Sequence, residues 1–235
     1  MKRFSIFFIA AVFVFGTNAQ MNPEETAIVR AILDSAGMKD VGVESVAKAD
    51  ESGRIIFLDL TNNEPEKDGI KYLPPEIGKL TQLKMLFLGK NSILSLPDEI
   101  GQLTNLKKLD VQYNELIDLP ATIGNLSSLE QFDGRYNQFA SLPDEFFKLN
   151  KLQWLQLWGN EFKLLPEDIG KLTSLKELYV IHNKLIDLPK CVTRMKSLKY
   201  IDFQDNYICN PSPEVRAWLK KKDTQWKSKQ NCYGQ

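Results

Sequence analysis

Leu83–Asn91 reads LKMLFLGKN, and the same nine-residue phrase returns as LKKLDVQYN at Leu106, LEQFDGRYN at Leu129, LQWLQLWGN at Leu152, LKELYVIHN at Leu175 and LKYIDFQDN at Leu198. Each copy closes on an asparagine, so Asn91, Asn114, Asn137, Asn160, Asn183 and Asn206 form a ladder with steps of 23 residues. A weaker copy, IIFLDLTNN, begins at Ile55 and extends the series back to Asn63. Self-similarity at this period marks supersecondary units that bury their apolar faces only by stacking on one another, so the chain is a solenoid.

Within each phrase the fourth and sixth residues are apolar between polar neighbours, the period-two pattern of a short strand with one buried face. The closing asparagine falls where the chain turns inward, and its amide can satisfy backbone groups that a buried turn leaves unpaired. Loss of one rung should cost about 1–3 kcal/mol, the penalty for a stranded buried polar group. Between strands runs a second phrase: LPPEIGKL from Leu73, LPDEIGQL from Leu96, LPATIGNL from Leu119, LPDEFFKL from Leu142 and LPEDIGKL from Leu165. Its proline has no N–H for a ladder and suits an irregular convex side. Gly78, Gly101, Gly124 and Gly170 are read as tight chain reversals there.

These phrases resemble the leucine-rich repeat family, in the 23-residue class whose LPxxIGxL phrase recurs in bacterial surface proteins and in Ras-associated scaffold proteins. The resemblance spans about residues 54–210. It implies an α/β solenoid with parallel strands on a concave face and an irregular or short-helical convex face. Protein recognition is the function it most often implies.

The ends read differently from the middle. Residues 1–20, MKRFSIFFIAAVFVFGTNAQ, have the basic start, apolar run and small residues of a secretory signal peptide, with cleavage after Ala19. The apolar run, Ile6 to Phe15, is shorter than the roughly 20 residues of a bilayer span. Residues 21–53 are expected to cap the first strand: a helix over PEETAIVRAILDSAG stopped at Gly37, then a hairpin in VGVESVAKADESGRIIFLDL turning near Asp50 to Gly53. Residues 54–208 hold about seven repeats, and residues 209–235 form a C-terminal cap with Val215, Trp218 and Leu219 at helical spacing. Export places the cysteines in an oxidising compartment, where a bridge between Cys209 and Cys232 would staple that cap. Cys191 is left over as an unpaired, partly buried thiol. The spacing Asn63 to Asn91 is 28 residues, which locates a five-residue insertion in the charged stretch EPEKDGIKY.

Function is sought on the displayed strand positions. The third, fifth, seventh and eighth residues of each phrase point away from the core and line the concave side. Unrolled, they bring Tyr113, Tyr136, Trp154, Gln156, Trp158, Tyr179, Ile181, His182 and Tyr200 onto one surface. A contiguous patch of displayed aromatics is the composition of a binding hot spot. Asp110 and Asp133 occupy one column in adjacent repeats beside Lys108 and Arg135, which invites a glycosidase reading. That chemistry needs one acid held protonated in an apolar pocket, so a polar rim on an open surface is the better account. No phosphate loop, metal-ligand spacing or catalytic triad occurs, and no cofactor or metal is expected. The 30 basic residues balance the 30 acidic ones, which gives no electrostatic case for nucleic acid. The sequence thus points to an exported, monomeric, non-catalytic recognition module with a protein partner. A glycan is the main alternative, and an envelope adapter a third.

One phrase departs from the rest. In LEQFDGRYN, Gly134 replaces the buried apolar residue and Phe132 replaces leucine, so the larger ring is expected to fill the vacancy.

Overall fold

The computed structural model describes residues 20–63, 69–222 and 225–232. The expected signal peptide, Gln20 apart, and most of the charged insertion lie outside the described residues.

Helix α1 (Pro23–Ser35) begins where its pattern says, with Pro23 in the first turn and Asn22 accepting from the N–H groups of Glu24 and Glu25. It buries Val29, Ile32 and Leu33. Gly37, at φ 72°, lies just past its end in the left-handed conformation common there. The buried Glu25 was not anticipated. Its carboxylate accepts from the Ile55 N–H at 2.6 Å and pairs with Arg54, which ties the helix to the edge of the sheet. The expected hairpin forms only in part. Val43–Val46 makes a helical turn, α2, while β1 (Ala47–Ala49) pairs antiparallel with β2 (Ile55–Asp59) around the turn at Asp50 to Gly53.

From β2 onward the sheet is parallel and strictly sequential: β3 (Met85–Phe87), β4 (Lys108–Asp110), β5 (Gln131–Asp133), β6 (Trp154–Gln156), β7 (Glu177–Tyr179) and β8 (Tyr200–Asp202). The register sets each phrase position against the same position of the next phrase, as in Leu109↔Phe132 and Phe132↔Leu155. Backbone pairing continues past the strands, with Leu88 N–H to Asp110 O and Lys90 N–H to Gln112 O, both 2.8 Å. Behind the sheet each LPxx phrase ends in one turn of 3-10 helix, first over Pro75–Lys79 and last over Lys190–Thr193. The leucines and isoleucines of both phrases meet between the layers, most of them fully buried.

The convex glycines serve a purpose other than reversal. None of Gly78, Gly101, Gly124 and Gly170 has positive φ. Instead a Cβ on Gly101 would stand 2.5 Å from Thr122 O, and one on Gly124 2.4 Å from Glu145 O. They let successive coils touch.

The asparagine ladder is the most regular feature. Asn137 Oδ1 accepts from the Leu116 N–H of the preceding repeat, while its Nδ2 donates to Val111 O and Gly134 O. The same scheme holds from Asn91 to Asn206. Asn63 does not join it. The first copy has no earlier repeat to serve, so Asn63 is exposed and Asn62 is buried in its place. At the other end a residue outside the repeats supplies the missing rung. Gln230 accepts from the Ile208 N–H and donates to Phe203 O, as a further ladder asparagine would.

That glutamine is held by the C-terminal segment. α3 (Pro213–Lys222) buries Val215 and Leu219, with Trp218 partly buried and Trp226 buried beyond it. The Cys209–Cys232 disulfide closes the segment, and its 23-residue loop corresponds to about 3 kcal/mol in the chain-entropy account. Cys191 is a free, half-buried thiol. Burial and the neighbouring Glu167 push its pKa up to about 11, which keeps it a poor nucleophile at neutral pH.

Gly134 bears out the exchange of volumes read in its phrase. A Cβ there would lie 2.6 Å from the Phe132 ring and 3.1 Å from that of Phe139. Gly134→Leu should therefore overpack the fifth strand and lower stability by about 2 kcal/mol. A denaturant midpoint equal to or above the wild type's would refute this.

Candidate binding surface

The concave surface is set by two local rules. Third and fifth positions project from the strands, and the eighth position adopts a left-handed backbone: Lys90, Tyr113, Tyr136, His182 and Asp205 have φ between 49° and 58°. Such a conformation costs a non-glycine residue on the order of 1–3 kcal/mol, and it persists because the adjacent asparagine fixes the turn. In the fifth repeat the eighth residue is Gly159, at φ 70°. The Tyr136 ring lies over it, 2.7 Å from where a Cβ would stand.

These rules align the expected aromatics into two runs. Along the seventh and eighth positions, Tyr113 stacks on Tyr136 with ring centroids 4.4 Å apart; Tyr136 meets Trp158 at 5.4 Å, and Trp158 stacks on His182 at 5.9 Å. His182 Nε2 lies 3.5 Å from Asp205 Oδ2. Along the third and fifth positions, Trp154 meets Tyr179 at 6.2 Å and Tyr179 meets Tyr200 at 5.2 Å. Tyr113 and Tyr200 are exposed and the two tryptophans half-buried, whereas Gln156 and Ile181 are buried on the floor between the runs. The last two were expected on the surface. The rings beside them cover them.

The acidic pair differs from the open rim expected of it. Asp110 and Asp133 pair in register and are 7% and 3% exposed. Arg135 grips Asp133 with Nε and Nη2 and reaches Gln112 Oε1 at 2.6 Å, while Gln112 Nε2 donates to Asp110 at 3.1 Å. Arg135 thus pairs with Asp133 directly, and Gln112 bridges from Arg135 to Asp110. Burial first, and then the charge of Asp133, push the Asp110 carboxyl up to about 6. The folded chain therefore binds a proton between about pH 4 and pH 6 that the unfolded chain does not. Ionisation of this group destabilises the fold as pH rises through that window. Asp110→Asn should accordingly melt higher than the wild type at neutral pH, with the difference closing below about pH 4. An equal or lower midpoint at neutral pH would contradict this.

Among the described residues no group of three or more His, Cys, Asp or Glu side chains is placed to hold a metal ion, and no helix is long and apolar enough to cross a membrane.

The repeats are matched by the family model described as leucine-rich repeat region over residues 54–138 and by that of leucine rich repeat over residues 151–172. With the sequential parallel sheet already in view, these matches decide the architecture. The fold is a leucine-rich repeat solenoid. The leucine-rich repeat ectodomain of the plant membrane receptor kinase GASSHO1/SCHENGEN3 from Arabidopsis thaliana, in complex with CASPARIAN STRIP INTEGRITY FACTOR 2, is 34% identical with a TM-score of 0.53. That likeness covers 57% of this chain and 17% of the receptor chain. The plant peptide hormone receptor RGFR1 in complex with RGF2 is 33% identical, with 57% and 23% covered and a TM-score of 0.53. A plant ice-binding protein aligns over 80% of this leucine-rich repeat chain and 65% of its own, with a TM-score of 0.65, but at 23% identity it shares the fold alone. This solenoid thus spans only about a fifth of the length of the receptor chains it resembles. A comparison with curated protein sequences finds no match.

Sequence reasoning missed two features of this leucine-rich repeat surface: the left-handed eighth position and the network in which Arg135 and Gln112 bond to the buried acids. Gly159 carried the signal for the first, as a glycine in a column otherwise filled by large side chains. The second depends on the side-chain path of Arg135, which periodicity does not specify.

Proposed function

We propose that this chain is an exported, monomeric recognition module of the 23-residue LPxxIGxL class found in exported bacterial proteins. It binds a protein partner as an extended segment along its concave face, without catalysis. The observation that carries the reading is the pair of aromatic runs from Tyr113 to His182 and from Trp154 to Tyr200. Leucines already fill the core, so the rings are surplus to folding and suit a hot spot of rigid anchors. Peptide recognition by RGFR1, a partial likeness, supports the same use of the fold. The Cys209–Cys232 bridge suits an oxidising compartment. A non-catalytic role agrees with Asp133 being held by Arg135 and withheld from a substrate.

The test is a parallel screen of the chain lacking residues 1–19 against a display library of extended peptides and a glycan array. Peptides that bind the wild type and not a Trp154→Ala/Trp158→Ala variant support the reading. Selective glycan binding lost in the same variant would replace it with carbohydrate recognition.

A further inference from the structure

Glu177 holds the third position of β7, in register with Trp154 on one side and Tyr200 on the other. Two residues along, Tyr179 turns its hydroxyl back to Glu177 Oε2 at 2.7 Å and sets its ring against both neighbours. The carboxylate is therefore rimmed by three rings. Asp202 adds a second carboxylate nearby, accepting from the Tyr200 hydroxyl at 3.1 Å and from Gln204 Nε2 at 3.3 Å. Burial and these acids raise the Tyr179 hydroxyl and push Tyr200 up to about 12, so both stay protonated donors to the carboxylates. Next to this group, Gln156 pairs in register with Tyr179, and its buried Oε1 has no donor among the described residues. Two basic side chains of the neighbouring repeats are directed elsewhere. Lys176 donates to Gln153 Oε1 at 2.6 Å, and Arg135 is spent on Asp133 and Gln112.

Ring faces are electron-rich, the two acids are negative, and the orphaned group is an acceptor. All three call for a cationic donor and none for an anion. We propose that Trp154, Glu177, Tyr179 and Tyr200 form a pocket for an arginine side chain carried by the partner. The guanidinium lies flat on the rings and donates to Glu177. Its planar, weakly hydrated fork can stack and pair with a carboxylate at once, which a compact ammonium cannot. This inference rests on the concave-face reading above and names the chemistry that face selects.

The probe is Nα-acetyl-arginine amide, titrated into the chain lacking residues 1–19 and followed by tryptophan fluorescence. Saturable binding is expected, weaker by about tenfold or more for the neutral isostere Nα-acetyl-citrulline amide and for the Glu177→Gln variant. Asn63→Ala, exposed in the first copy and away from the aromatic face, should keep it. Unchanged melting of Glu177→Gln would show that the variant folds; a Tyr200→Leu variant, half-exposed at its site, supplies a second loss of binding if it does not. Equal affinity for the citrulline probe, indifference to both substitutions, or lysine amide binding as tightly as arginine amide would each overturn the assignment. Arginine binding in a chain that selects no extended peptide would sink the functional reading and leave the pocket standing; selected peptides with no arginine dependence would do the reverse.

Discussion

Asn137→Ala should lower the stability of the chain by about 3 kcal/mol, because the truncation strands one buried N–H and takes one of two donors from each of two buried carbonyls. The Leu116 N–H loses its acceptor at 3.0 Å, while Val111 O and Gly134 O lose donors at 2.9 and 3.2 Å but keep Asn114 Nδ2 and Asn160 Nδ2, each at 3.0 Å. Water cannot replace the amide there without opening the coil, since Asn137 is 7% exposed. The change should appear as a drop in urea midpoint with the slope of the transition preserved. Asn63→Ala is the internal control. That residue closes its phrase in the sequence but is exposed in the fold, so its loss should stay within about 0.5 kcal/mol. Equal costs for the two substitutions would show that the ladder does not stabilise the solenoid through these bonds.

The Trp154→Ala/Trp158→Ala variant should bind peptides selected by the wild type about a thousandfold more weakly, or about 4 kcal/mol, with each ring contributing about half. The two side chains project from the same repeat and anchor different runs, Trp154 against Tyr179 and Trp158 between Tyr136 and His182. Their removal breaks both runs at the middle of the face. The thermal midpoint should hardly move, because Leu152, Leu155 and Leu157 of the same phrase fill the core from the opposite side. Wild-type affinity in the double variant would rule out the concave aromatics as the binding surface. A large fall in midpoint would show that they are structural.

The fold was legible because its determinants repeat. The alternation that places Leu109, Phe132 and Leu155 in one buried row is written out once per coil, and each copy confirms the phase of the others. The ring-bearing column was readable for the same reason. What the sequence hid lies where a residue acts outside the period. Glu25 reaches across from α1, and the first copy turns Asn62 inward in place of Asn63 because no other repeat stands before it among the described residues. Asp110 and Asp133 are buried rather than on a rim, with Arg135 and Gln112 bonded to them. The convex glycines were found by their spacing, but the spacing could not say that they serve contact between coils. That follows from the neighbouring carbonyls, which would stand only 2.4–2.7 Å from a Cβ on Gly78, Gly101 or Gly124.

A stack of near-identical coils has no intrinsic length, and its last member offers the same unmet groups as every other. Here the end is written by a glutamine. Gln230 copies the bonding of the next rung from a segment that contributes no further coil, and Cys232, two residues on, fastens that segment to the final repeat through Cys209. Termination is therefore a covalently latched imitation of continuation. Opening the latch by reduction frees the imitation, and the stack gains a bare edge from which, in a structure coupled only between neighbours, melting can travel inward coil by coil.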